Sequence, residues 1–139
     1  MKGLTTRDLY MLDEACRIIT TTFPKGCCYL VGSAEQSEYL PRDVDVRLIL
    51  SDDEFDRLYK YDDGWDVNLW QLMSLTICEY LRSRTGLPID FQIQRQTIAN
   101  EKHDHPRNPL GLKGGARQYA GGGDGTDWTD RFLNKPVEE

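Results

Sequence analysis

The run Cys27-Cys28-Tyr29-Leu30-Val31-Gly32-Ser33 is followed, after nine intervening residues, by Asp43-Val44-Asp45-Val46-Arg47-Leu48-Ile49-Leu50. These two stretches decide how the chain is read. The second is the clearest strand in the sequence. Val44, Val46, Leu48 and Leu50 share one face, and Asp43, Asp45 and Arg47 share the other, as a period of two requires. The first is a short apolar strand that stops abruptly at Gly32-Ser33. Alternation on the second strand puts Asp43 and Asp45 side by side, close enough to share a cation.

A third alternating strand, Ile89-Asp90-Phe91-Gln92-Ile93-Gln94, places Asp90 on its polar face. If the three strands lie in one sheet with their polar faces aligned, Ser33, Asp43, Asp45 and Asp90 converge. The elements between them are helical. Leu9, Leu12, Cys16 and Ile19 recur at helical spacing over 6–20, with Thr5 or Thr6 as cap. Ser51 and Glu54 form a capping box for a short helix to about Tyr59. Residues 66–84 read as a long helix with Val67, Trp70, Met73, Ile77, Tyr80 and Leu81 as its apolar stripe. Gly86 suits its C-terminal stop, and Pro88 prevents continuation. Trp65, Trp70 and Tyr80 are expected in the core. The expected fold is α/β (α+β): a small mixed β-sheet flanked by helices on one side.

From residue 106 the composition shifts. Seven of the twelve glycines lie between Gly111 and Gly125. The chain therefore divides into a domain over 1–105 and a Gly/Pro-rich C-terminal arm or tail over 106–139. Trp128, Phe132 and Leu133 are candidate anchors of that arm. Lys102, Arg107, Lys113 and Arg117 form a sparse basic track suited to triphosphate or RNA, or to a solvated tail. His103-Asp104-His105 reads as a solvated loop, since no Cys or third His accompanies it.

The 139 residues carry 17 Lys and Arg against 23 Asp and Glu, a net charge of −6. All the excess lies in residues 1–90, with 10 basic and 16 acidic side chains, while 91–139 carry 7 of each. Such a balance excludes a protein that coats duplexes through clustered cations. Cys16, Cys27, Cys28 and Cys78 contain no C-x-x-C pair, so buried free thiols are expected rather than zinc. The first residues have no apolar stretch resembling an export signal, no run of about 18 apolar residues exists, and a cytoplasmic protein without a membrane span is expected.

The arrangement Leu30-Val31-Gly32-Ser33, then Asp43-Val44-Asp45-Val46, then Ile89-Asp90-Phe91 resembles the nucleotidyltransferase superfamily typified by DNA polymerase beta, over about residues 6–95. The resemblance implies a Mg²⁺- (or Mn²⁺-) dependent enzyme that moves a nucleoside monophosphate from a nucleoside triphosphate to a hydroxyl acceptor. The acceptor would be a protein, an RNA end or a small molecule. Asp43, Asp45 and Asp90 would be the metal ligands and catalytic carboxylates, and Asp90 would serve the acceptor hydroxyl as metal ligand or proton acceptor. Gly32 would admit phosphate close to the backbone and Ser33 would donate to it. Many small members carry a basic residue soon after Gly-Ser. Here Ala34-Glu35-Gln36 stands instead. Arg42 or Arg47 would take over that nucleotide-binding role, although Arg47 equally suits pairing with Asp45. The chain has no helical domain to grip base or acceptor, so activity would draw on a homodimer, a partner protein or the arm. A non-catalytic nucleotidyltransferase-like binding module is the alternative.

Overall fold

The computed structural model describes residues 3–32, 43–102 and 107–112. The order is α1 (Thr6–Thr22), β1 (Gly26–Val31), β2 (Val44–Leu50), α2 (Asp52–Tyr59), β3 (Lys60–Tyr61), β4 (Gly64–Trp65), α3 (Val67–Thr85), β5 (Ile89–Arg95), α4 (Gln96–Lys102) and β6 (Asn108–Leu110). Four strands make one mixed sheet in the order β5-β2-β1-β6, and β3-β4 is a separate hairpin. β1 runs antiparallel to β2 and to β6, and β2 runs parallel to β5. A parallel pair needs a long crossover, and α2, the hairpin and α3 supply it. The expected α+β class, with a small mixed sheet, is what the chain adopts.

Local chemistry explains the boundaries. Thr5 and Asp8 close α1 with a reciprocal capping box. The Ser51 side chain accepts from the Glu54 N–H, and the Asp66 carboxylate accepts from the Leu69 N–H. Gly86, at φ +71°, ends α3 in the left-handed conformation. The core lies on one face of the sheet. Val44, Val46, Leu48, Leu50, Ile89, Phe91 and Ile93 meet Leu12, Cys16 and Ile19 of α1, Tyr59 of α2 and Leu81 of α3. Cys16, Cys28 and Cys78 are buried free thiols and Cys27 is half-buried. A hydrogen bond with Cys28, reinforced by burial, pushes the Cys16 thiol up, so it stays protonated.

Three features depart from the expected pattern. Trp65 and Val67 are exposed rather than core, Trp65 on the two-residue strand β4 and Val67 at the first position of α3. Residues 96–102 form a helix directly after β5, where Asp52 of α2 accepts from the Thr97 N–H and hydroxyl. The start of the expected arm is a strand. β6 pairs with β1, the Thr20 hydroxyl donates to the Leu110 carbonyl, and the Gly111 N–H donates to the buried Asp13 carboxylate at 2.8 Å. Residues 108–110 thus belong with the sheet. The anchors Trp128, Phe132 and Leu133 lie outside the described residues.

Candidate functional site

One sheet face is filled by the core, and the polar side chains of β1, β2 and β5 stand on the other. Asp45 lies directly opposite Asp90 in the parallel register of β2 and β5. It also lies opposite Val31, the last residue of β1. The site therefore forms where β1 ends and where β2 and β5 begin. Neighbouring strands are about 4.8 Å apart, so two carboxylates face each other across one strand spacing. Like charges in that position repel.

Gly32 shapes the same corner. Its φ is +77°, a conformation that glycine adopts without strain. A Cβ built there would lie 2.7 Å from Asp45 Oδ2. The Asp45 carboxylate occupies the space that a side chain at this position would need. Burial pushes the Asp45 carboxyl above the usual carboxylate range. Arg47 opposes that shift, while Asp90 and Asp43 add to it. Asp43 is thus near enough to act on Asp45 electrostatically, though it lies just before β2 on an exposed bend.

Arg47 is the local cation. Its side chain is 11% exposed, against 30% for Asp45 and 46% for Asp90. Nη1 donates to the carbonyls of Asp90 at 2.7 Å and Val46 at 3.0 Å. Nη2 stands 3.5 Å from Asp90 Oδ2 and 3.9 Å from Asp45 Oδ1. The pairing that period two allowed is thus present, and it extends to both carboxylates. One guanidinium, with its shortest bonds to main-chain carbonyls, faces two carboxylates, and Asp43 adds a third negative charge nearby. The corner keeps an excess of negative charge. Arg47 Nε is buried without a hydrogen-bond partner among the described residues.

Removing this cation has a predictable cost. Arg47→Met is expected to lower unfolding stability at pH 7 by about 2 kcal/mol, the scale for charged hydrogen bonds. The deficit should shrink in acid, where protonation relieves the Asp45–Asp90 repulsion. Urea titrations at pH 7 and pH 4 check both statements. An equal loss at the two values would show that the guanidinium acts only on the carbonyls.

The expected site residues therefore separate into two groups. Gly32, Asp43, Asp45, Arg47 and Asp90 are brought to one corner. Ser33 and Arg42 lie outside the described residues, as do His103, Asp104, His105, Lys113 and Arg117. Among the described residues, no three His, Cys, Asp or Glu side chains, Asp43, Asp45 and Asp90 included, are grouped so that together they could hold a metal ion. Sequence reasoning missed the continuation of this face. Tyr29 lies opposite Arg47, and Arg107, read before as part of the arm, stacks over the Tyr29 ring at 5.9 Å. Arg107 also donates to Asn100 Oδ1 at 2.8 Å. Period-two parity from Asp90 would have found Gln92, whereas Tyr29 needs the β1–β2 register and Arg107 a tertiary contact.

Among the described residues, no helix is long and apolar enough to cross a membrane. Protein-family models, curated proteins and solved structures yield no match to this chain.

Proposed function

We propose that the corner formed by Gly32, Asp45 and Asp90 serves Mg²⁺-dependent transfer of a nucleoside monophosphate from a nucleoside triphosphate to a hydroxyl acceptor. The observation that carries this reading is the Asp45–Asp90 pair, set side by side on parallel strands next to the glycine that ends β1. Two carboxylates in register, one of them pushed up by burial and by its acidic neighbours, form the kind of perturbed pair that functional sites use, and this supports the reading.

The donor set fits a hard divalent cation in type and in charge. Mg²⁺ is ordinarily held by one or two carboxylates together with substrate phosphates and water, not by a complete protein cage. Asp45 and Asp90 would hold it, with Asp43 close by. When bound, it supplies charge neutralisation for the triphosphate and the leaving pyrophosphate. The chain's own residues do the rest. Gly32 lets Asp45 sit tight against the end of β1. Arg47 holds Asp45 and Asp90 together in the absence of the cation. Asp90, the more exposed carboxylate, is placed to accept a proton from the acceptor hydroxyl.

A specific observation favours a second reading. Arg47 already lies between the two carboxylates, as it would in a binding module that uses the pair structurally. One assay separates the two. Wild type should transfer label from α-³²P nucleoside triphosphates only with Mg²⁺ or Mn²⁺, and Asp43→Ala/Asp45→Ala/Asp90→Ala should not. Equal labelling from both proteins would leave the binding module.

A further inference from the structure

Arg47, the cation inside the corner, is spent there. Nη1 is committed to the carbonyls of Asp90 and Val46, and Nη2 faces the two carboxylates. A nucleotide's phosphate tail carries several negative charges, and the corner already holds an excess of its own. Such a tail is normally met by a cationic side chain as well as by the metal.

The strand register brings a second cation to the same face. Leu30 pairs with Asn108 across β1 and β6, so one further step sets Arg107 beside Val31. Val31 pairs with Asp45, and Asp45 with Asp90. One row across the sheet thus runs Asp90, Asp45, Val31, Arg107. Arg107 is two residues from Pro109, which stands opposite Tyr29, so a period of two turns it to the face that carries Asp45. Two strand spacings put its backbone about 10 Å from that of Asp45. The guanidinium lies over the Tyr29 ring at 5.9 Å and donates to Asn100 Oδ1 at 2.8 Å. Among the described residues it therefore meets a ring face and an amide oxygen, both neutral, and its charge is left to attract an anion. A guanidinium has five N–H donors in a planar fork, and that fork matches phosphate oxygens. The phosphate tail is also the part of a nucleotide that a cation at Asp45 and Asp90 would hold nearby.

We propose that Arg107 binds the triphosphate of the donor nucleotide, across Val31 from Asp45 and Asp90. This rests on the transfer reading given above, and it assigns the cation that Ala34-Glu35-Gln36 does not supply. The probe is inorganic triphosphate with Mg²⁺, titrated into the full chain by isothermal titration calorimetry. Wild type should bind it, and Arg107→Met should bind it about tenfold or more weakly, the scale for losing a charged hydrogen bond. Arg107→Lys keeps the charge without the fork and should fall between them, which carries the same test if methionine costs folding. Asn100→Ala removes the neutral partner and should bind as wild type does. A role for Arg107 confined to tying the start of β6 to α4 would instead make Asn100→Ala and Arg107→Met lose binding alike. Lys25→Met, just before the far end of β1, should change nothing. In the labelling assay Arg107→Met should raise the KM for the nucleoside triphosphate by about the factor seen in binding. Equal triphosphate binding by wild type and Arg107→Met, or none by wild type, overturns the assignment, and so does an equal loss in Asn100→Ala. Triphosphate held through Arg107 with no label transferred would keep the assignment and remove the reaction. Transfer at an unchanged KM by Arg107→Met would do the reverse.

Discussion

Asp45→Asn is expected to lose nucleotidyl transfer by a hundredfold or more, about the scale for removing one electrostatic contact at a reacting centre, while melting at a higher temperature than wild type at pH 7. The two effects have one cause. Burial and the neighbouring Asp90 and Asp43 raise the Asp45 carboxyl above its ordinary value, and the opposing pull of Arg47 does not cancel them. The folded chain therefore holds this proton more tightly than the unfolded chain does. The stabilisation that comes with the neutral form is complete below the unfolded carboxylate range and is lost as pH rises through the raised value. Asparagine is neutral at every pH. The variant should exceed wild type in melting temperature at neutral pH, and the two should converge as pH falls toward the unfolded range. Mg²⁺ should raise the melting temperature of wild type and not that of the variant. Thermal melts from pH 4 to 8, with and without Mg²⁺, and the labelling assay on the same preparations provide the check. A variant that is less stable than wild type at pH 7, or that still transfers label, would contradict the assignment. Residues that cost stability and are retained for chemistry behave in this way.

The largest stability effect is expected far from that site. Gly111 has φ +68°, and a Cβ there would lie 2.5 Å from the backbone carbon and oxygen of Cys16 and 2.6 Å from the Arg17 nitrogen. Those atoms are the main chain of α1 and cannot swing aside. Gly111→Ala must either displace β6 or break the Gly111–Asp13 hydrogen bond. Displacing β6 exposes Leu110 and strands the Thr20 hydroxyl. About 3 kcal/mol or more should be lost, from the left-handed strain together with the lost burial. Gly86→Ala provides the internal comparison. Its φ is +71°, but nothing lies within 4 Å of the added Cβ. Only the backbone strain remains there, about 1–2 kcal/mol. Denaturant titration of the two variants separates conformational strain from collision, and equal losses would show that β6 gives way freely.

Much of the fold was legible because it is written locally. The alternation in β2 sorted Asp45 and Arg47 from Val44, Val46 and Leu48, and the caps at Thr5 and Ser51 marked two helix starts. The elements that escaped are those created by tertiary contact. β6 is three residues long, contains Pro109 and lies in a Gly-rich stretch. Nothing in its composition announces a strand, and its pairing with β1 and its ties to Thr20 and Asp13 form it. α4 begins without a local cap because Asp52, 45 residues away, takes that role. The hairpin at Tyr61-Asp62-Asp63-Gly64 is only two residue pairs, too short for alternation to show, and its turn puts Asp62 at a positive φ. For the site, parity identified the face on which Asp45 and Asp90 stand. It could not give their register, which depends on how the crossover through α3 lays β5 against β2. It also said nothing about Gly32 against Asp45, a contact made by the turn out of β1.

The tie between Asp13 and Gly111 spans 98 residues. It has a consequence for the order of events during synthesis. Until residue 111 has emerged, β1 has a partner on only one side, and Thr20 and Asp13 face the place that β6 will fill. Loops of that length close slowly relative to helices and hairpins. Between the emergence of β1 and that of Gly111 the chain would carry an unpaired strand edge, the kind of surface on which other chains nucleate aggregates. The Asp45–Asp90 corner, which needs only residues up to β5, would assemble before the sheet is sealed.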